Sequence, residues 1–96
     1  MSPSGDITLR TRVRGRGQIH LEIAAQARYF SRYRLCVSAP SHRRDCRVFG
    51  LRRQGRRYGS TVGWQAHFPP RGIGTYRATW SAEGNRLGPP LVFIIR

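Results

Sequence analysis

Eighteen arginines and no lysine face four carboxylates, Asp6, Glu22, Asp45 and Glu83, which leaves a formal net charge of +14. A guanidinium offers a planar fork of donors that matches phosphate, sulfate and carboxylate, which an ammonium cannot do. Seven of the arginines crowd into one stretch: Arg43, Arg44, Arg47, Arg52, Arg53, Arg56 and Arg57. The chemistry open to them is capture of an anion. If five of them contact phosphates of duplex DNA, the log-log salt slope is roughly −4 to −5. A chain this cationic attracts polyanions at low salt whatever its evolved role. Choosing arginine over lysine also fits codon usage in a GC-rich, bacterial genome, although that does not explain the scarcity of carboxylates.

The remaining reactive side chains are sparse. Cys36 and Cys46 are the only cysteines and no Cys-x-x-Cys is present, so a zinc or dithiol redox site has little support. On facing strands of a hairpin they can form a disulfide, which implies an oxidising compartment. Two free thiols remain the alternative. His20, His42 and His67 fall on different segments, and no metal site is expected from them. A hydrolytic triad needs a serine, a base and an orienting acid within mutual reach. Here the serines sit in turn-like stretches and the carboxylates are scattered, so neither that nor a carboxylate pair for glycoside chemistry is expected. No catalytic residue and no cofactor follow from the sequence.

The elements that must carry these groups read as strands. Apolar residues alternate with polar ones along almost the whole chain. Ile7, Leu9, Thr11 and Val13 share one face, with Arg10, Arg12 and Arg14 on the other. After the turn Gly15-Arg16-Gly17 come Ile19, Leu21, Ile23 and Ala25. The outward arginine row discourages edge-to-edge pairing. Residues 24–28 have a composition that suits a single helical turn. Tyr33, Leu35 and Val37 point inward from a third strand, with Arg32, Arg34 and Cys36 outward. A fourth strand begins at Cys46 and buries Phe49 and Leu51. Residues 52–59 read as a basic turn around Gly55, with Tyr58 as a stacking platform beside the arginines.

Residues 60–68 give the clearest alternation, with Val62, Trp64, Ala66 and Phe68 on one face of a fifth strand that Pro69 and Pro70 end. Tyr76, Ala78 and Trp80 share a face of the next. Glu83-Gly84-Asn85 is a hairpin turn. Leu91, Phe93 and Ile95 point inward from the last strand, whose start is interrupted by Gly88-Pro89-Pro90. Trp64 and Trp80 are in phase with core neighbours, so they are expected to pack inside rather than stack on sugars.

Ninety-six residues suffice for one core and no second. The expected organisation is a disordered tail at 1–5 and a single domain at 6–96, all-β, built as a seven-stranded antiparallel β-sandwich. No run approaches the roughly 20 apolar residues of a spanning helix. The polar start, Met1-Ser2-Pro3-Ser4-Gly5-Asp6, does not read as a signal peptide.

Gly72-Ile73-Gly74-Thr75-Tyr76-Arg77-Ala78-Thr79-Trp80 resembles the sixth strand of immunoglobulin-like and fibronectin-type-III-like domains. There a Gly-x-Tyr enters the strand and the tyrosine hydroxyl returns to the backbone upstream. Tyr76 takes the place of that tyrosine, and Ala78 that of the antibody-type core cysteine. Gly84 to Phe93 is similar to the closing hairpin of small bacterial immunoglobulin-like domains. The third strand carries Tyr33 and Leu35 where an antibody-type domain places its tryptophan. The cysteines fall on the third and fourth strands, so the antibody-type inter-sheet bridge does not carry over. The resemblance implies an immunoglobulin-like sandwich that serves binding, adhesion or spacing. The functional expectation is a non-catalytic, monomeric, secreted or cell-envelope module whose arginine face meets an anionic polymer, a membrane surface or an acidic protein. The alternative is a cytoplasmic protein that binds nucleic acid non-specifically through the same arginines.

Overall fold

The computed structural model describes residues 7–15, 17–26 and 30–96. The expected tail at 1–5, and Ala27 and Arg28 of the expected helical turn, lie outside those residues; Ala24 and Ala25 belong to a strand. Nine strands and one helical turn follow in order. They are β1 Ile7–Arg14, β2 Gln18–Ala25, β3 Arg32–Ser38, β4 Arg44–Gly50, β5 Arg52–Gln54, β6 Arg57–Gly63, α1 Trp64–His67, β7 Gly74–Ala82, β8 Asn85–Arg86 and β9 Leu91–Ile95. All pairings are antiparallel. One sheet runs β1-β2-β6-β5; the other runs β4-β3-β7, with β8 and β9 both pairing the far side of β7.

The fold is all-β, but with nine strands rather than the expected seven. Two local causes account for the difference. Gly88-Pro89-Pro90 splits the closing strand into β8 and β9, because proline has no N–H to give the ladder. The basic stretch 52–59, expected as a turn, is a tight hairpin in which Arg52, Arg53 and Gln54 pair with Gly59, Tyr58 and Arg57. Leu51 carries the chain from one sheet to the other. Its N–H donates to the Ser31 carbonyl at 2.9 Å, and its side chain is buried.

Alternation decides which side chains meet. Ile19, Leu21 and Ile23 from β2, Tyr33, Leu35 and Val37 from β3, and Tyr76, Ala78 and Trp80 from β7 form one continuous core with Val62 and Phe93. Each fully buried aliphatic or aromatic side chain stabilises by roughly 1.5–3 kcal/mol relative to exposure. Tyr33 ties the layers together, its hydroxyl donating to Ser60 Oγ at 2.8 Å. Burial raises the Tyr33 pKa, and the Ser60 bond partly offsets that rise.

The segment 60–68 is not one strand. β6 stops at Gly63, opposite His20, and Trp64–His67 forms a helical turn closed by the Phe68 N–H on the Trp64 carbonyl at 2.9 Å. Gln65 takes over where pairing ends. Its side-chain oxygen accepts from the Ile19 N–H at 3.0 Å, and its amide donates to the Gly17 carbonyl at 2.9 Å. Trp64 and Phe68 still share a side, both buried, because residues four apart lie on one face of a helix. Ala66, placed inward by strand counting, is exposed.

The turn between β7 and β8 has Glu83 at φ 51° and Gly84 at φ 80°, the two positive angles that a two-residue hairpin of this hand requires.

Candidate anion-binding surface

The seven clustered arginines are all exposed, and they lie along β4 and β5, in the turns beside them and, for Arg57, at the start of β6. Both strands are sheet edges. The opposite edges, β1 and β9, touch each other, so β4 and β5 share the remaining side of the molecule. The arginines therefore lie on one lateral side, spread over the margins of both sheets rather than over one flat face. Arg44 is on the outer face of the β4 sheet, in register with Ser38. Arg52 pairs with Gly59 and points from the outer face of the other sheet, together with Arg57. Arg47 and Arg53 occupy inward registers, opposite buried Leu35 and half-buried Tyr58, and reach water only because they stand on edges. Arg43 precedes β4 and Arg56 lies in the β5–β6 turn. Tyr58, expected as a stacking platform, packs against the core instead.

The electrostatics are lopsided. Among the described residues, Glu22 pairs with Arg12 at 3.5 Å and Asp45 with Arg71 at 2.9 Å. No ion pair among those residues involves the seven arginines. Asp45 takes a two-pronged bond from Arg71, Nε at 2.9 Å and Nη2 at 3.0 Å. That bond holds its carboxyl below the ordinary carboxylate range; partial burial opposes it, and the charges of Arg71, Arg43 and Arg47 add to it.

The outer face of the five-stranded sheet adds arginines that a search for runs overlooks. Arg44, Ser38 and Arg77 stand opposite one another on β4, β3 and β7. Arg34, Ser81 and Arg86 do the same on β3, β7 and β8. Arg86 was not singled out by the sequence reading, because it lies far along the chain from the cluster. The available signal was its place two residues after a hairpin turn, opposite an outward serine.

Cys36 and Cys46 occupy one cross-strand pair between β3 and β4, with their sulfurs at bonding distance, 2.13 Å, and Cα atoms 4.1 Å apart. Cys36 is on the outer face by register yet buried, covered by its partner. Trp64 and Trp80 are core residues, 3% and 1% exposed, and present no open ring face. The Tyr76 hydroxyl donates to the Gly72 carbonyl and accepts from the Arg71 N–H at 3.0 Å. These bonds pin the loop that carries Arg71 to Asp45. Trp64, Tyr76 and Phe93 pack ring to ring, with centroids 5.0–5.5 Å apart.

A groove of about 880 Å³ opens between the end of β1 and β9. Val13, expected inward, lines it at 68% exposure, because no opposing layer covers the end of β1. Val92 and Ile94 border it, also half exposed. Among the described residues no group of histidine, cysteine and carboxylate side chains is placed to hold a metal ion, and no helix is long and apolar enough to cross a membrane. No family model, curated protein or solved structure matches this chain.

Proposed function

We propose that this chain is a non-catalytic, strongly cationic binding or structural module of a secreted or cell-envelope protein. Its arginine-rich side meets an anionic partner: a cell-wall polymer, a membrane surface or an acidic protein. The observation that carries this reading is the exposure of Arg43, Arg44, Arg47, Arg52, Arg53, Arg56 and Arg57 without a carboxylate partner among the described residues. Guanidinium groups left unneutralised on one side create a field that gathers polyanions.

An immunoglobulin-like sandwich is the fold reading we favour. Its support is the strand order. β1-β2-β6-β5 follows the A-B-E-D order of such domains, and β3-β7-β9 the C-F-G order, with β4 added at the edge. β8 and β9 then count as one interrupted closing strand. The Tyr76 hydroxyl bond to Gly72 supports the same reading. Extracytoplasmic location is supported by the Cys36–Cys46 pair, since disulfides persist in oxidising compartments.

Chromatography on immobilised heparin tests the function. Retention well beyond physiological salt is expected, and the combined Arg52→Ala, Arg53→Ala, Arg56→Ala and Arg57→Ala variant should elute markedly earlier. Unchanged elution of that variant would remove the arginine side from the argument. Duplex DNA run as a competitor examines the nucleic-acid alternative. Displacement by duplex DNA of any sequence at a far lower charge concentration than other polyanions need would favour the alternative; displacement in proportion to charge alone would leave the first reading in place.

A further inference from the structure

We propose that the outer face of the five-stranded sheet carries two matched oxyanion subsites, spaced to grip successive phosphate or sulfate groups of one linear polyanion. The proposal rests on the reading that the chain binds an anionic partner, and assigns it a second, patterned surface.

The register builds each subsite from three strands. In the first, the Ser38 hydroxyl stands between Arg44 on one side and Arg77 on the other. In the second, the Ser81 hydroxyl stands between Arg34 and Arg86. Side chains directly opposite on neighbouring strands have Cβ atoms about 5 Å apart. Each serine therefore has a guanidinium within reach on both flanks. A hydroxyl donor between two forked cations is a suitable cradle for a tetrahedral oxyanion, which has more acceptor positions than one arginine can fill. The four arginines are exposed and form no ion pair among the described residues, while both serines are half-buried.

A surface concavity takes in the serine and one arginine of each row. Ser38 and Arg77 line one surface concavity, of about 580 Å³, which His42 also borders. Arg34 and Ser81 line another, of about 380 Å³. Arg32 adds charge to the second, and Glu83 partly offsets it. The paired cysteines and Thr79 lie between the two subsites and hold β3 against its neighbours. Ser38 and Arg34 are four residues apart on β3, as are Arg77 and Ser81 on β7. At about 3.3 Å per residue the subsites are about 13 Å apart. A flat bilayer would present headgroups at any spacing, whereas a linear chain presents them at fixed intervals. A fixed spacing between two cradles favours the linear chain.

The experiment uses α,ω-alkane bisphosphonates as probes, titrated calorimetrically at physiological salt. One probe has a linker long enough to place its phosphonates about 13 Å apart, and the other has half that reach. The long probe is expected to bind at least tenfold tighter than the short one. The Arg44→Ala/Arg77→Ala and Arg34→Ala/Arg86→Ala variants should each reduce the long probe to the level of the short one. The Arg10→Ala/Arg14→Ala variant, on β1 of the other sheet, should leave that tenfold ratio intact. Equal affinity for both lengths, or insensitivity to the paired variants, overturns the two-subsite proposal even if heparin retention persists. Loss of heparin retention in all variants alike, wild type included, overturns the general reading instead. Anionic vesicles that outcompete the long probe at matched phosphate concentration also overturn the proposal, in favour of a membrane surface.

Discussion

β4 and β5 together carry four arginines in ten residues, whereas β9 reads Leu91-Val92-Phe93-Ile94-Ile95 without a charge. Both are exposed sheet margins, and the difference lies in what their inward registers do. On the arginine side those registers hold half-buried Phe49, which meets Tyr33, His67 and Phe68, but also the exposed Arg47 and Arg53, which stand where a foreign strand would have to bury them. On the β9 side the inward register holds Phe93, 5% exposed, against Trp64 and Tyr76. The inward registers thus hold an arginine on each strand of one margin and none on β9.

The largest expected effect tests that division directly. Phe93→Ala should destabilise by about 3–5 kcal/mol, the usual consequence of emptying an aromatic core position. A loss below about 1 kcal/mol in denaturant unfolding would mean that the aromatic trio is not what anchors β9. Next, replacing both Cys36 and Cys46 by alanine should lower stability by roughly 2–3 kcal/mol, as expected for opening so short a loop. The comparison adds a spatial requirement: amide exchange should quicken in β4 while β9 stays protected. Tyr76→Phe removes the bonds to Gly72 and Arg71 and should lose roughly 1–2 kcal/mol. No change in the unfolding midpoint would show that the hydroxyl contributes nothing to holding that loop.

The smallest effect belongs to Asp45, the carboxylate nearest the arginine side. Its pKa is lowered in the folded state, so its contribution is present above the ordinary aspartate pKa and is lost as pH falls through the folded value. The stability difference between wild type and Asp45→Asn should therefore be modest near neutrality and should vanish with acidification below about pH 4. A difference that grows on acidification would contradict the pairing with Arg71.

How much of this could be read from residues alone differs from element to element. β2, β3 and β7 were legible because their inward positions are bulky and their outward ones polar, so a period of two leaves no choice. The segment from Val62 to Phe68 was misread for a definite reason. Residues four apart share a face in a strand and in a helix alike, so Trp64 and Phe68 agree with both. Only position 66 separates them, and alanine is at home in either. β5 was missed because three polar residues on an edge bury nothing and leave no periodic trace. Val13 satisfied the alternation of β1, but alternation does not say how far the facing layer extends. The arginine cluster was visible as a run along the chain, while the Arg–Ser–Arg rows were not, because they exist only once the register joins three strands.

The uncharged margin has one more consequence. An apolar strand edge invites a second copy to extend the sheet, and between Pro90 and Arg96 the five residues of β9 carry neither a charge nor a proline against that. The shared charge of +14 opposes that approach, a repulsion whose reach shortens with the Debye length as salt rises. Any ligand that cancels that charge also removes the barrier, so saturation with a polyanion should leave these molecules more prone to join edge to edge than the bare protein is.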